Sequence, residues 1–447
     1  MKRIIKLLFL YFAFGSIVML TNCPINCPYC PYDSPWIPFF TFSPDSKMVV
    51  YVKGGSLYSS PITASARVAI APQFYYSLNP LSYNIAITPD STKVVYVDNA
   101  SNIYSCPITA ATRVTIATGV NNNFVMTSDG TKVVYTAGSL YNNANFLYSS
   151  PITASVPVLL ATEVTNFKVT PDGTRVVYTN ISSNLYSSPI TVGMPVIIDK
   201  GVSNFLITPD SSAVVYTNSS STLYSSPITT SAPVLIDTGV DSFIVTPNSS
   251  TVVYTSSSSN LYSSPITTSA PVLIDTGVDS FTVTPNGVSV VYTKDKTAIT
   301  SYLYTYSLHS SPITTSIPIT IDTGVTDFTV TPDSTRVVYT NIFTRLSSSP
   351  ITASVPVTIS TGVGNFIVSS DSTRVVFTSI SSNLCSSPIT ASVPVIIDKG
   401  IGNFLITPDS KMVVYPKSYH NSSGGYNFGL YSSPITTSAP VTIDSGN

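Results

Sequence analysis

The chain has 447 residues, of which 20 are Lys or Arg and 21 are Asp or Glu, so its net charge is −1. This balance argues against nucleic acid binding, which needs a basic face, and against a polybasic membrane-binding patch. The 28 Tyr and 19 Phe residues, together with many Val, Ile and Thr, exclude a disordered chain and favour β-strands. The composition therefore predicts an all-β protein.

Residues 1–22 are predicted to be a signal peptide. Three cationic residues in the first six positions precede an apolar run at residues 7–20, which is shorter than the ~18 residues of a membrane-spanning helix. The run ends in Leu-Thr-Asn-Cys, which resembles a bacterial lipobox and predicts lipidation of Cys23. Because Asn22 stands where Gly, Ala or Ser is usual, ordinary secretion and an uncleaved anchor stay open as alternatives. We expect an exported protein of the bacterial cell envelope, located in the periplasm, the outer membrane or the cell surface.

The Cys- and Pro-rich residues 23–38 are predicted to form a tether. Cys23, Cys27 and Cys30 have a Cx3CxxC spacing that is similar to the iron–sulfur motif of radical SAM enzymes. That motif follows the first strand of an α/β barrel, whereas this one follows an export signal. We therefore predict no cofactor and no metal, with Cys27 and Cys30 either paired or free.

Residues 39–447 contain one sequence unit that is repeated ten times. A Thr-Pro-Asp anchor alternates with a Ser-Ser-Pro-Ile-Thr anchor, and the steps from Pro171 to Pro285 are 38 residues each. A fixed period of this size is typical of solenoids and propellers. Each unit has four short β-branched and aromatic runs bounded by turn residues, which predicts a four-stranded antiparallel propeller blade. In the fifth unit these runs are residues 204–208, 213–217, 222–226 and 233–237.

The repeat also resembles a known family. Residues 42–51 read FSPDSKMVVY and residues 56–58 read SLY, which is similar to the F-S-P-D-G-K-x-I-A-Y pattern of the TolB-like propeller repeat. The resemblance implies blades that run from the inner to the outer strand, with the Pro-Asp turn after the innermost strand. Ten units exceed the usual five or six blades, and the α/β domain of TolB itself is not recognisable.

A single large ring is the favoured arrangement, and two smaller propellers stay possible. Both ends of residues 39–447 lie at unit boundaries, so closure is predicted to rest on side-chain packing alone. Cys106 and Cys385 lie in non-adjacent units, the second and the ninth, and are predicted not to pair with each other.

The repeated acids are interpreted as turn residues, because a catalytic residue is needed only once. Asp or Asn follows Pro or Ser in all ten units, as suits a turn in which the side chain binds nearby amides. A second set, which commonly precedes Gly, is interpreted in the same way; it comprises Asp199, Asp237, Asp275, Asp322, Asp398 and Asp444. We predict no catalytic residue and no enzymatic activity.

Four units are lengthened, and the added segments predict a binding surface. The anchor spacing grows from 18 residues to 23, 27 and 26 in units 3, 7 and 10, and the link from unit 1 to unit 2 is also longer. Because antiparallel strands alternate in direction, all four segments should lie on one face of the ring. Tyr-rich loops on a rigid scaffold resemble paratopes. The predicted ligand-binding residues are Tyr75, Tyr76, Tyr141, Tyr302, Tyr304, Tyr306, His309, Tyr419, His420 and Tyr426.

Three functions stay open from the sequence. The favoured one is a monomeric, non-enzymatic scaffold that binds a protein or a polysaccharide. It is expected to bind no nucleic acid and to contact the membrane only through its lipid anchor or signal segment. The second is a structural surface protein without a specific ligand. The third is a glycosidase or lyase, which would need a pair of unique carboxylates. The non-repeated acids are scattered in the sequence, at Asp33, Asp98, Glu163, Asp241, Asp279, Asp295 and Asp327.

Overall fold

A computed structural model describes residues 39–72, 74, 84–140, 144–301, 303–420 and 426–445, and these residues form strands and turns without a helix. The predicted signal peptide and the tether, including Cys23, Cys27 and Cys30, lie outside the described residues. The strands are β1 Phe40–Phe42, β2 Met48–Lys53, β3 Ser56–Pro61, β4 Val68–Ala71, β5 Ile85–Ile87, β6 Lys93–Val97, β7 Ile103–Pro107, β8 Val114–Ala117, β9 Val120–Met126, β10 Lys132–Leu140, β11 Ala144–Pro151, β12 Val158–Val169, β13 Arg175–Asn180, β14 Leu185–Pro189, β15 Val196–Asp199, β16 Val202–Ile207, β17 Ala213–Asn218, β18 Leu223–Pro227, β19 Val234–Asp237, β20 Val240–Val245, β21 Thr251–Ser256, β22 Leu261–Pro265, β23 Val272–Asp275, β24 Val278–Val283, β25 Ser289–Ala298, β26 Tyr304–Pro312, β27 Ile319–Val330, β28 Arg336–Asn341, β29 Leu346–Pro350, β30 Val357–Ser360, β31 Val363–Val368, β32 Arg374–Ser379, β33 Asn383–Pro388, β34 Val395–Lys399, β35 Leu405–Ile406, β36 Met412–His420, β37 Tyr426–Pro434 and β38 Val441–Asp444.

The strands form ten antiparallel blades, which confirms the predicted fold class. In each blade the strands are paired in chain order, from the first to the fourth, as in the sheet β16-β17-β18-β19 of blade 5. The turn between the first and second strands and the turn between the third and fourth strands lie on one side of the ring, which we call the turn face. The turn between the second and third strands and the link to the next blade lie on the other side, which we call the loop face.

Two sheets have seven strands, a feature that the sequence did not predict. They form because β12 and β27 each serve as the last strand of one blade and the first strand of the next. Each of these strands begins in a lengthened unit, and the long third strand of that unit also pairs with the link to the next blade. Asn145 is the register partner of Val164, and Tyr306 is the register partner of Val325. The link therefore becomes part of a continuous bent strand.

Neighbouring blades pack through apolar cores, and the ten cores of the described residues match the ten interfaces of a ring. At each interface the second strand supplies fully buried Val side chains, as Val214 and Val215 do in blade 5. Cys106 and Cys385 are buried in different cores and are not disulfide-bonded, as predicted.

The ring closes between blades 10 and 1. Phe40 and Val49 of blade 1 share a core with Leu405 and Val414 of blade 10. The prediction that closure rests on packing alone is wrong, because the buried Asp444 also crosses this junction. Its carboxylate accepts hydrogen bonds from the Tyr51 hydroxyl at 2.8 Å and from Lys53 Nζ at 2.7 Å. The protein is therefore a single ten-bladed propeller.

The Pro-Asp turns of the turn face have the predicted structural role. In blade 5, Thr208 Oγ1 donates to Asp210 Oδ1 at 2.6 Å, and the Ser212 amide donates to the same oxygen at 3.0 Å. Burial opposes ionisation of Asp210, but these hydrogen bonds outweigh it and lower the pKa of the carboxyl group. The Asp210 amide also donates to Ser249 Oγ of the next blade at 2.9 Å, so the turns link blades as well.

The second set of acids does more than form turns. Asp237 Oδ1 accepts the Thr238 amide, as the turn interpretation requires, but Oδ2 accepts the hydroxyl of Tyr254 in the next blade at 2.7 Å. The corresponding pairs elsewhere in the ring are Tyr51 with Asp444, Tyr216 with Asp199, Tyr292 with Asp275 and Tyr339 with Asp322. These acids therefore join adjacent blades.

Candidate functional site

The loop face carries three projecting β-ribbons, each made by the second and third strands of a lengthened unit. These strands have 9 and 8 residues in unit 3, 10 and 9 in unit 7, and 9 and 9 in unit 10. The same strands have 6 and 5 residues in unit 6. The fourth strand of blade 1, β4, ends on this face as well, and β5 of blade 2 begins there.

The ribbon of unit 7 presents two of the predicted tyrosines beside a cation. Lys296 Nζ lies 4.4 Å from the centre of the Tyr304 ring and 5.7 Å from that of Tyr306. Its other partner is Asp279, at 3.6 Å. Nearby carboxylate and tyrosine groups outweigh burial and raise the pKa of Lys296, so the ammonium stays charged. An aromatic and cationic surface of this kind suits contact with a partner.

His309 differs from the expectation that it lies in an exposed loop. It occupies β26 at a position where most units have Tyr, is 5% exposed, and stacks on Tyr292 with ring centres 5.5 Å apart. Burial lowers the pKa of its imidazole, and Nε2 is 4.0 Å from Asp295 Oδ2. The His309 side chain lies in the interior of the blade, because the inserted residues of unit 7 come before His309 in the sequence and do not include it.

The ribbon of unit 10 contains the other described residues of the predicted set. The Tyr419 hydroxyl donates to the backbone carbonyl of Ser445, next to the last strand. His420 and Tyr426 are register partners at the ends of β36 and β37. The remaining predicted contact residues, Tyr75, Tyr76, Tyr141 and Tyr302, lie outside the described residues.

The predicted tyrosines whose side chains the structure describes do not form a single cluster. Blades 3, 7 and 10 are separated by at least two other blades along the ring. Among the described residues, Tyr304 and Tyr306 contact Lys296 of their own ribbon, and Tyr419 bonds within unit 10. The loop face is therefore a set of separate projections.

Three acids that are scattered in the sequence lie in three consecutive blades. Asp241, Asp279 and Asp327 lie near the starts of the inner-strand segments of blades 6, 7 and 8, in β20, β24 and β27, and are exposed at the loop-face mouth of the central channel. The sequence order concealed this placement, because 38 and 48 residues separate consecutive members. In the described part of the chain, no group of three or more His, Cys, Asp or Glu residues is placed to hold a metal ion.

A polar cavity of about 510 Å³ lies between blades 4 and 5 on the loop face. Thr165, Asn166 and Ser182 line one side, and Ser203 and Ser219 line the other. None of its lining residues is charged, so hydroxyl and amide groups dominate its chemistry. A cavity of this size can hold a small polar ligand.

The turn of unit 8 breaks the repeat without changing its length, which is why spacing did not reveal it. It carries Phe343, Thr344 and Arg345 where unit 6 has Ser258, Ser259 and Asn260. Phe343 is 76% exposed. Thr344 has φ 55°, a left-handed conformation that is unfavourable for a β-branched residue. Comparison of the turns position by position would have found this signal.

Comparisons with known proteins show the fold and leave the family open. No family model matches the sequence, and no curated protein matches it. A solved structure of a eukaryotic initiation factor is similar over 89% of this chain and 96% of its own, with 10% identity and a TM-score of 0.51. The C-terminal WD40 domain of Sif2 is similar over 67% of this chain and 91% of its own, with 12% identity and a TM-score of 0.39. Tricorn protease is similar over 91% of this chain and 58% of its own, with 10% identity and a TM-score of 0.33.

The described residues include no helix with the length and apolar character needed to cross a bilayer.

Proposed function

We propose that this protein is a non-enzymatic interaction scaffold of the bacterial cell envelope, related to the TolB-like propellers, which binds a protein or polysaccharide through its loop face. The observation that supports this proposal is the placement of the projections. Three ribbons of 8- to 10-residue strands leave the same side of a closed ring. Rigid scaffolds that present variable loops on one side are typical of binding proteins.

The chemistry of the repeated acids supports a role in binding rather than catalysis. Asp210 and its counterparts bind the amides and hydroxyls of their own turns, and Asp237 and its counterparts join blades. These carboxylates are occupied by structural hydrogen bonds. The predicted export signal of residues 1–22 and the lipobox-like sequence that ends at Cys23 support attachment to the envelope by a lipid.

The proposal is tested by shortening the ribbons and measuring capture of partners. Residues 294–307 of unit 7 are replaced with residues 256–260 of unit 6, and unit 10 is shortened in the same way. We expect the full-length wild-type chain to retain a partner from a detergent extract of bacterial envelopes and the shortened chain to lose it. Tyr292 and Leu308, which are buried below the exchange, keep the blade core intact.

The matched control alters the opposite face. The double variant K47E/K411E changes two exposed side chains beside the Pro-Asp turns of blades 1 and 10. We expect it to retain the partner. Loss of capture in this variant but not in the shortened chain would refute recognition by the loop face.

A further inference from the structure

The polar cavity between blades 4 and 5 is open because two of its positions carry small residues. Ser219 stands where unit 9 has Ile380, and Gly201 stands where unit 9 has Gly362. In unit 9 the isoleucine covers the glycine, since a Cβ atom on Gly362 would lie 3.3 Å from Cδ1 of Ile380. A Cβ atom on Gly201 would meet nothing within 4 Å. The short side chain of Ser219 therefore leaves the cavity of about 510 Å³ unfilled.

Hydrogen bonds between backbone groups hold the walls of this cavity in place. The Val202 amide donates to the Ser183 carbonyl at 2.8 Å, and the Ser219 amide donates to the Gly201 carbonyl at 3.1 Å. These two bonds tie the turns between the second and third strands of blades 4 and 5 to the link that joins the blades. The buried side chains of Val202 and Phe205 close the inner side. The cavity is therefore formed before any ligand arrives, which lowers the cost of binding.

Four polar side chains of the lining are free to bind a ligand. Among the described residues they have no hydrogen-bond partner; they are the hydroxyls of Ser182, Ser203 and Ser219 and the amide of Asn166. A serine hydroxyl both donates and accepts, and an asparagine amide has donors at its nitrogen and an acceptor at its oxygen. The matching ligand must therefore donate and accept hydrogen bonds at several points on a compact body.

The absence of charge from the lining selects a neutral ligand. Ser203 occupies the position that Asp241 and Asp279 hold in the next two blades, so the corresponding grooves there carry a carboxylate. An ionic ligand would give up its hydration in the cavity without gaining an opposite charge, which is unfavourable. A pyranose with neutral hydroxyl groups carries several donors and acceptors on one small ring and pays no such penalty.

We infer that the cavity between blades 4 and 5 binds a neutral pyranose unit of a polysaccharide. This inference rests on the proposed function, because the cavity lies on the same loop face as the ribbons. It narrows the partner from a protein or a polysaccharide to a polysaccharide that contains uncharged sugar residues. The cavity then holds one sugar unit, and the ribbons contact other parts of the polymer.

The test uses saturation-transfer NMR with the full chain. The probes are glucose, galactose, mannose and N-acetylglucosamine, with glucuronate as the charged comparison. The variant S219I fills the cavity with a side chain that the fold accepts at this position, since units 4 and 9 have Ile181 and Ile380 there. S203A removes one hydroxyl without adding bulk. The matched control S257I makes the same change as S219I in the corresponding turn of blade 6.

We expect at least one neutral sugar to bind the wild-type chain and the S257I variant, and glucuronate to bind more weakly. S219I should weaken binding by about tenfold or more, because it removes a hydrogen-bonding group and fills the space, and S203A should weaken it less. Saturation transfer to none of the neutral sugars, to glucuronate alone, or equally in the wild-type chain and S219I would overturn the inference.

The outcome is separable from that of the proposed function, because partner capture is measured independently. A chain that binds no sugar in the cavity but loses its partner when the ribbons are shortened would refute the sugar site and leave the proposed function standing. A chain that binds the sugar but captures its partner equally with and without the ribbons would support the site and refute recognition by the ribbons.

Discussion

At the scale of single residues, the Tyr–Asp bond between blades is the most informative contact. The Tyr254 hydroxyl is buried and donates to Asp237 across the interface of blades 5 and 6. Burial and then this carboxylate raise the pKa of Tyr254 far above its usual value. At the junction of units 8 and 9, Ser360 stands where the Asp would be, and Phe377 replaces the Tyr of the next blade.

We predict that Y254F lowers the free energy of unfolding by about 1–2 kcal/mol, because a hydrogen bond to a charged group is lost. The matched control is Y178F, since Ala161 stands where the Asp would be and only a much smaller change is expected. Urea unfolding of both variants provides the measurement. A folded pKa above the unfolded value of 10.0 means that the Tyr254 contribution is complete below pH 10 and is lost as the pH rises beyond it. Equal losses in the two variants at pH 7 would contradict the paired role.

The sequence showed these residue types but not their partnership. Asp237 lies two residues before Gly239, which correctly indicates a turn, and the hydroxyl of Tyr254 is 17 residues away in another blade. Pairing of this kind depends on how neighbouring sheets pack, and no local pattern specifies it. The Pro-Asp turn was predictable because Thr208, Asp210 and Ser212 lie within five residues.

At the scale of elements, local sequence patterns predicted the positions of the strands well. The four strands of blade 5 begin and end within two residues of the predicted runs, because β-branched and aromatic residues alternate with Pro, Asp, Ser and Gly. The continuous strands β12 and β27 were not predictable. They depend on pairing between a lengthened third strand and the link that follows it.

The unit 10 ribbon depends on a glycine at its base. A Cβ atom on Gly429 would lie 2.7 Å from Cε2 of Tyr431 and 2.9 Å from the backbone oxygen of Asp444. We predict that G429A destabilises the protein by about 1–3 kcal/mol, since neither the aromatic ring of Tyr431 nor the backbone of the last strand can move without an energetic cost. In contrast, G402A should be nearly neutral, because a Cβ there meets nothing within 4 Å. Thermal unfolding compares the two, and equal midpoints would contradict close packing at Gly429.

At the scale of the whole molecule, the junction of blades 10 and 1 differs from every other interface in joining the two ends of the ring. Elsewhere the chain itself connects adjacent blades, so a weakened interface keeps its neighbours close. At the closing junction only non-covalent contacts act, and Asp444 gathers several of them. Tyr51, Lys53 and Arg67 of blade 1 all bind its carboxylate, which is 3% exposed.

We therefore predict that D444N destabilises the ring more than the equivalent D237N. Removal of the Asp444 charge leaves Lys53 beside a neutral amide in a buried site, for which we expect a loss of about 2–4 kcal/mol. Asp237 receives the Tyr254 hydroxyl and its own turn amide, and an Asn can still accept the hydroxyl, so a loss of about 1 kcal/mol is expected. Urea unfolding measures the difference, and small-angle X-ray scattering below the transition should show an expanded particle for D444N alone. If the two variants unfold alike and keep the wild-type radius, closure does not depend on Asp444, and the apolar core of Phe40, Val49, Leu405 and Val414 suffices to hold the ends together.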